Sequence, residues 1–353
     1  MTTSQTTLDP QKLIGDTVHN PGSVLPLREE DCRIPIPTPN FFLVGGAKCG
    51  STMLASVLLS HPDCCHSAPK ETNFFTLNFD EGWDWYRGTF AHYNGEPVIG
   101  EASVSYGAIP FRKNVAKQLY EYNPDAKIVY ICRHPWNKLV SGWKMATSGP
   151  GFVGHSSAIK GFEAYVLHEE PRADLGPWHN PTLGWDLAAP SSDDVTRVWL
   201  DGIYYEGQID NYLNVFPADQ VKVMFLEDWK SDPDGEAAEL CRFLGLDPNR
   251  LPDPDRTPVN RADERRKVAS WYYWFANSDA LRPLRHLFPK DFRHSLRRQL
   301  FQSPLISRKL VYPDFQISDS FREDLLNYLR AKSAPFLERN GKQPAFWDLE
   351  NIS

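Results

Sequence analysis

The sequence predicts an α/β fold built on a doubly wound parallel sheet, as two observations indicate. Short apolar runs of the kind that form buried parallel strands alternate with segments of helical periodicity. A glycine-rich turn follows the first of these runs, where such folds place a binding loop. With 353 residues, of which 41% are hydrophobic, the chain can bury a sizeable core. The predicted strands are FFLVG (41–45), PVIGEA (97–102), KIVYICR (127–133) and VKVMFLE (221–227).

Helical segments lie between the predicted strands. Apolar residues spaced three and four apart fall on one helical face in three places. These faces are formed by Met53, Leu54, Val57 and Leu58, by Val115, Leu119 and Tyr122, and by Leu139, Val140 and Trp143. Strands that alternate with helices in this way are typical of a doubly wound sheet.

The chain divides into an N-terminal arm and one large domain. Residues 1–38 are rich in proline and polar residues and predict an extended arm, whereas residues 39–348 predict a single domain. Residues 148–192 carry many Gly, Pro, His and Trp residues without a steady period, which predicts an insertion that forms a binding wall or lid. Residues 265–309 mix aromatic residues with arginines. They predict an amphipathic helical pair with its arginines in water or, alternatively, a surface for an acidic substrate.

Charge and composition argue against several classes of function. The 45 acidic and 38 basic residues give a net charge of −7, which disfavours binding to nucleic acid or to an anionic membrane. No stretch has the roughly 18 to 20 consecutive apolar residues of a membrane helix, and the first residues lack the apolar centre of a signal peptide. We therefore expect a soluble, cytoplasmic protein. Its six cysteines match neither a disulfide framework nor a zinc spacing and are expected to be reduced thiols.

The stretch FFLVGGAKCGSTMLASVL, residues 41–58, predicts a local anion site. A strand, a glycine turn and a helix direct unpaired backbone N–H groups and a helix dipole toward one point. The nucleoside triphosphatase loop has the pattern G-x-x-x-x-G-K-S/T. Here Gly45 and Gly50 have that spacing, but Ser51 takes the lysine position and Lys48 lies within the loop. The loop is therefore P-loop-like, with a lysine that approaches the anion from inside the loop.

Residues at the ends of two later strands leave two hypotheses open. KIVYICR ends in Arg133, a cation at a position where a magnesium-dependent enzyme commonly has an acidic residue. This arginine favours a second anionic group on the ligand and no requirement for a metal. VKVMFLEDW ends in Glu227 and Asp228, which keep a magnesium-dependent kinase or nucleotidase open as the alternative. That alternative would use the hydroxyl of Ser51 or Thr52 together with Asp228.

Two motifs resemble the donor-binding signatures of sulfotransferases that use 3′-phosphoadenosine 5′-phosphosulfate (PAPS). AKCGSTMLASVL resembles their 5′-phosphosulfate loop, and IVYICRHPWNKLVSGW resembles their second signature, with Arg133 and Ser141 eight residues apart. SAPKETNFF, GIYYEGQIDNYLNVFPADQVKVMFLEDW and ISDSFREDLLNYLRAKSAPFLERNG resemble segments of the carbohydrate branch, which includes the heparan sulfate and chondroitin enzymes and their bacterial relatives. The resemblance covers roughly residues 40 to 348. It departs from the family at His134, where an acidic or small polar residue is usual.

The resemblance implies an enzyme that moves the sulfuryl group of PAPS to a hydroxyl, less readily an amine, of a carbohydrate or small metabolite. It implies that Arg133 and Ser141 bind the 3′-phosphate and that Glu71, in the segment KETNFF, is the general base. The loop residues implied to contact the donor are Lys48, Cys49, Gly50, Ser51 and Thr52, with Lys48 stabilising the leaving group. The remaining candidates are Arg261 for the adenosine side, and Lys70, Trp178 and His179 for the acceptor.

Three alternatives stay open at this point. Glu71 could form only a surface ion pair with Lys70. A histidine could be the base, as in cytosolic aryl sulfotransferases, and the available ones include His66, His92, His134, His155, His168 and His179. The chain could also be a non-catalytic binding module that keeps the fold. The identity of the acceptor and the oligomeric state do not follow from the sequence.

Overall fold

The computed structural model describes ten stretches of the chain, and everything below refers to them. They are residues 36–107, 115–148, 161–167, 170–171, 195–196, 198–252, 266–268, 307–309, 315–350 and 352. The predicted N-terminal arm, most of the 148–192 insertion and most of the 265–309 segment lie outside these residues, and their interpretation stays a prediction.

The predicted doubly wound α/β architecture is confirmed. A five-stranded parallel sheet has the strand order β2-β3-β1-β4-β7, so that β1 is central. Its strands are β1 (Phe41–Gly45), β2 (Cys64–His66), β3 (Val98–Glu101), β4 (Lys127–Cys132) and β7 (Val221–Phe225). Two short antiparallel pairs join β5 (Glu170–Pro171) to β6 (Val195–Thr196) and β8 (Arg266–Val268) to β9 (Ser307–Lys309).

Helices connect the strands in the order that the periodicity predicts. The described helices are α1 (Ser51–Ser60), α2 (Gly82–Gly88), α3 (Val115–Tyr122), α4 (Pro135–Ser148), α5 (Phe162–Val166), α6 (Val198–Asp201), α7 (Tyr205–Leu213), α8 (Leu226–Ser231), α9 (Pro233–Leu244) and α10 (Asp319–Arg339). Leu54, Leu58, Val115 and Leu119 are buried on the predicted faces of α1 and α3. No helix in the described stretches is long and apolar enough to span a membrane.

The central strand β1 is apolar throughout because it is buried on both faces of the sheet. All five residues of β1 are buried, which explains why FFLVG forms a continuous apolar run and does not alternate. Because the five strands are parallel, their carboxyl ends share one edge of the sheet. The residues that follow β1, β2, β3 and β4 therefore lie along that edge.

The chain forms two compact units. The larger unit comprises the described residues of 1–139, 166–256 and 317–353, and the smaller unit those of 140–165 and 257–316. In the larger unit, an aromatic cluster includes the last residues of the segment KETNFF, and the rings of Phe74 and Tyr86 are stacked with their centroids 4.4 Å apart. In the smaller unit, the rings of Trp143, Phe162 and Phe315 pack together, and the Phe162 and Phe315 centroids are 4.8 Å apart.

Candidate active site

The loop between β1 and α1 needs glycine at its last position. Gly50 precedes α1 with φ of 103°, a left-handed conformation that residues with a Cβ atom adopt only at a cost. A Cβ atom on Gly50 would also lie 2.9 Å from Leu226 Cδ1. The backbone N–H of Gly46 donates to Ile131 O at 2.7 Å and ties the loop to β4. Lys48 itself has φ of 64°, so the loop turns sharply at this residue too.

The first turn of α1 presents backbone N–H groups that have no protein acceptor. Within the described stretches, the N–H groups of Gly50, Ser51 and Thr52 donate to neither a backbone nor a side-chain acceptor, and no side chain caps the helix. The first intrahelical bond runs from the Met53 N–H to Gly50 O at 2.9 Å. Unpaired N–H groups and the positive end of the helix dipole at one place favour an anion.

Arg133 lies beside this loop because β4 pairs directly with β1. Its Nη1 donates to Lys48 O at 3.0 Å, so the structure brings the lysine loop and the arginine of the second motif together. Tyr205 holds the Arg133 backbone, since its hydroxyl donates to Arg133 O at 2.7 Å and accepts from the Arg133 N–H at 3.3 Å. The buried Nε of Arg133 has no hydrogen-bond partner within the described stretches.

The corner after Arg133 is supported by Glu227 and the C-terminal segment. Glu227 Oε1 accepts from the His134 N–H at 3.1 Å, and its Oε2 accepts from Trp347 Nε1 at 3.1 Å. The His134 ring lies 3.2 Å from Asp348 O through Nε2, which must carry the proton because a carbonyl only accepts. Burial lowers the pKa of His134, and the ring is thus held as a neutral donor.

Asp228, the second acidic residue after β7, is also paired with a protein group. Asp228 forms an ion pair with Lys342, whose Nζ lies 2.6 Å from Asp228 Oδ2. Glu227 and Asp228 lie in the first turn of α8, two and three positions after the end of β7. The two carboxylates that a magnesium-dependent enzyme would need at this position are therefore occupied by protein groups.

Glu71 lies at the same edge of the sheet, on the other side of the loop. It follows β2, two strands from β1, which corresponds to about 10 Å across the sheet. Its Oε1 is 2.9 Å from Lys70 Nζ, and the Glu71 side chain is 37% exposed. The chain before it is tied to β3, because the Ala102 N–H donates to Lys70 O at 3.2 Å. The ion pair considered from the sequence thus exists, and it leaves the carboxylate accessible.

Glu101 is a site-edge residue that the sequence pattern does not reveal. It ends β3, its side chain is fully buried, and it accepts from four hydroxyl groups. The donors are Thr72 Oγ1, Ser103 Oγ at 2.6 Å, Tyr86 Oη at 2.8 Å and Tyr106 Oη at 2.9 Å. Burial raises the pKa of Glu101, and the hydroxyl donors oppose that shift.

Other residues singled out from the sequence have different positions. Ser141 lies on α4 in the smaller compact unit. His66 is buried, with Nδ1 3.1 Å from Ser67 O, and His92 is exposed with its Nε2 3.8 Å from Cys65 Sγ. Cys49 is a buried thiol 3.5 Å from Tyr205 Oη, and burial raises its pKa. Residues outside the described stretches are Arg261, Trp178, His179, His155 and His168.

Comparisons with known proteins agree with this fold. The sulfotransferase domain family matches residues 38–268, which is more than half of the chain. The chain is 25% identical over 268 residues to the membrane-associated sulfotransferase kil1 of Dictyostelium discoideum, covering 59% of this chain and 56% of that protein. It is 26% identical over 231 residues to heparan sulfate glucosamine 3-O-sulfotransferase 6 of Homo sapiens, covering 65% and 58%. The chain thus spans a little over half the length of these relatives.

A solved structure shows the same fold. The sulfotransferase from Alicyclobacillus acidocaldarius superposes with a TM-score of 0.56 at 22% identity, covering 88% of this chain and 99% of that one. At this identity, the likeness establishes the architecture and not the substrate. The match over residues 38–268 to the domain model establishes the family, and the chain belongs to the sulfotransferases.

Proposed function

We propose that this protein transfers the sulfuryl group of PAPS to a hydroxyl group of a carbohydrate or small-metabolite acceptor. The contact that carries this proposal is the hydrogen bond from Arg133 Nη1 to Lys48 O at 3.0 Å. It sets a fixed guanidinium beside a loop that contains a lysine and the unpaired N–H groups of α1. Two cationic side chains at one helix N-terminus suit a ligand with two separate anionic groups.

The donor would be held at both ends. The N–H groups of Gly50, Ser51 and Thr52 would take the 5′-phosphate, with Cys49 contributing only to the packing of the loop. The unpartnered Nε of Arg133 supports its role as a ligand of the 3′-phosphate, since a buried guanidinium N–H without an acceptor is costly. Ser141 and Arg261 remain proposed ligands on the strength of their motifs alone.

Transfer breaks the bond between sulfur and the bridging oxygen of the donor and forms a bond from sulfur to the acceptor oxygen. Negative charge grows on the bridging oxygen, where the Lys48 ammonium and the helix N-terminus would stabilise it. The acceptor hydroxyl loses its proton, and the accessible carboxylate of Glu71 is the proposed base. Lys70 would hold Glu71 in place through their ion pair or bind an anionic group of the acceptor.

The acceptor class rests on the relatives. The human relative is named for a hydroxyl of heparan sulfate glucosamine, which supports a sugar hydroxyl as the acceptor here. Trp178 and His179 are proposed acceptor contacts, because aromatic rings stack on sugars and metabolites. A magnesium-dependent kinase is less favoured, since Asp228 is paired with Lys342 and Glu227 accepts two N–H groups.

The donor can be tested by thermal unfolding. We expect 3′-phosphoadenosine 5′-phosphate (PAP) to raise the unfolding temperature in the presence of EDTA, because a ligand that binds only the folded state stabilises it. Arg133→Ala should abolish that shift. Stabilisation by ATP with magnesium, but not by PAP with EDTA, would favour the kinase and overturn the proposal.

Catalysis can be tested with a matched pair of carboxylate variants. Glu71 and Glu121 both pair with a lysine, at 2.9 Å and 3.6 Å, and both are partly exposed, but Glu121 lies on α3 away from the site edge. With PAPS and a panel of sugar and metabolite alcohols, Glu71→Gln should lower kcat by about 10² to 10⁴-fold. Glu121→Gln should leave kcat unchanged. Full activity of Glu71→Gln would refute the role of Glu71 as base without refuting the donor assignment.

A further inference from the structure

Glu101 is the centre of a buried hydroxyl network in the larger unit. Thr72, Tyr86, Ser103 and Tyr106 each donate a hydroxyl proton to its carboxylate, and all four residues are buried. Both oxygens of Glu101 accept from these hydroxyls, so the carboxylate fixes the direction of all four hydroxyl protons. This arrangement leaves the lone pairs of the hydroxyl oxygens free to accept other hydrogen bonds.

Three of these hydroxyl oxygens accept hydrogen bonds from backbone N–H groups of the turn that follows Glu71. Ser103 Oγ accepts from the Asn73 N–H at 2.9 Å. Thr72 Oγ1 accepts from the Phe74 N–H at 3.2 Å, and Tyr106 Oη accepts from the Phe75 N–H at 3.2 Å. Asn73 has φ of 48°, a conformation that needs support from its surroundings. Three consecutive N–H groups are thus held by hydroxyls that Glu101 orients.

We propose that Glu101 is a positioning residue, which fixes the Glu71 carboxylate at the edge of the sheet by holding the turn of residues 72–75 through three oriented hydroxyls. The inference rests on the proposed role of Glu71 as the base. Glu101 cannot act on the substrate directly, because its side chain is fully buried and both its oxygens are occupied. Its effect on the reaction passes through the backbone on which Glu71 lies.

The structure supplies a matched pair of tyrosines for the test. Tyr86 and Tyr106 both donate to Glu101 Oε1, at 2.8 Å and 2.9 Å, and both are fully buried. Only Tyr106 also accepts from the turn, at Phe75 N. Phenylalanine at either position removes one donor from the carboxylate, but only at position 106 does it also release a backbone N–H of the turn.

The experiment compares Tyr86→Phe, Tyr106→Phe and Glu101→Gln in the full chain. Thermal unfolding, PAP affinity, kcat and KM are measured, together with the pH dependence of kcat. We expect Tyr106→Phe to lose somewhat more thermal stability than Tyr86→Phe, because it also leaves the Phe75 N–H without its acceptor. Both variants should bind PAP within about twofold of the wild type, because the donor site lies on β1 and β4. We expect kcat to fall by about 10- to 100-fold in Tyr106→Phe and less than about twofold in Tyr86→Phe, because misplaced catalytic groups cost rate and not donor affinity.

A purely structural role would lower stability and activity in parallel in both tyrosine variants, and that result would overturn the inference. Equal kcat in Tyr106→Phe and the wild type would overturn it as well. If Glu101→Gln fails to fold, the tyrosine pair still decides, and Ser103→Ala, which releases the Asn73 N–H, provides a second variant of the turn.

The double variant Glu71→Gln/Tyr106→Phe separates this inference from the proposed function. If Tyr106 acts through Glu71, the double variant should lose no more kcat than Glu71→Gln alone. If Glu71→Gln is fully active, the proposed base is wrong whatever the tyrosine variants do. If Glu71→Gln loses activity but Tyr106→Phe does not, the base stands and only the positioning role fails.

Discussion

His66, at the end of β2, should make the protein lose stability in mild acid. Its side chain is 1% exposed, its Nδ1 lies 3.1 Å from Ser67 O, and its Nε2 is buried without a hydrogen-bond partner in the described stretches. Burial lowers the pKa of His66 to about 4, with Lys70 and His92 acting in the same direction. The folded protein therefore keeps this ring neutral at a pH where the unfolded chain takes up a proton.

The sign and the size of the effect follow from the two pKa values. Since the folded pKa of about 4 lies below the ordinary value of 6.5, protonation favours the unfolded state. The loss of stability caused by His66 is close to zero above pH 6.5 and grows as the pH falls toward 4. Between about pH 7.5 and about pH 5, His66 should lower the free energy of unfolding by about 2 kcal/mol. The largest loss, reached below the folded pKa, is about 3 kcal/mol.

Urea unfolding followed by tryptophan fluorescence at several pH values measures this free energy. His66→Asn is the informative variant, since it removes the titrating ring, and His92→Asn, at an exposed position, is its control. The loss of stability between about pH 7.5 and about pH 5 should shrink by about 2 kcal/mol in His66→Asn. It should shrink only slightly in His92→Asn, because His92 is the smallest of the causes that lower the pKa of His66. Comparing each variant with the wild type also cancels the contribution of Glu101. Because the pKa of Glu101 is raised, protonation of Glu101 favours the folded state in acid, which is opposite to the effect of His66. An unchanged pH dependence in His66→Asn would refute the reasoning.

Three further predictions concern the loop between β1 and α1 and the residues that support it. Gly50→Ala should cost about 1 to 2 kcal/mol of stability from its left-handed backbone alone. Relief of that strain should change the backbone of the loop and weaken PAP binding in calorimetry. Tyr205→Phe removes the donor to Arg133 O and should weaken PAP binding by about 1 kcal/mol, or roughly fivefold, whereas an unchanged affinity would show that the Arg133 backbone needs no such support. Burial raises the pKa of the Cys49 thiol, so iodoacetamide should modify Cys49 in the native protein far more slowly than in urea, as mass spectrometry of the peptides can measure.

Much of the sheet could be predicted because buried parallel strands carry a strong local signal. FFLVG, residues 41–45, forms a strand with the predicted bounds. VKVMFLE was predicted two residues too long, since Leu226 and Glu227 begin α8, and apolar character alone does not distinguish a strand end from a helix start. β2, with the sequence CCH, was missed because three residues without an apolar run carry no periodicity.

The supporting residues of the site could not be predicted, because their partners are distant in sequence. Tyr205 holds the backbone of Arg133 from 72 positions away, and Thr72 meets Glu101 across 29 positions. Lys48 and Arg133 could be singled out because each belongs to a local motif. Their proximity depends on the pairing of β1 with β4, which the order of the strands along the chain does not determine.

Because β1 is the central strand, the two parts of the proposed active site lie on opposite sides of it. The proposed nucleotide site is built on β1 and β4, whereas the turn next to Glu71, the proposed base, is held by residues of and after β3. The turn and the hydroxyl groups that hold it could therefore be replaced by those of another enzyme without changing the proposed nucleotide site. The two segments involved, residues 67–76 and 101–106, would have to be replaced together, because they hydrogen-bond to each other.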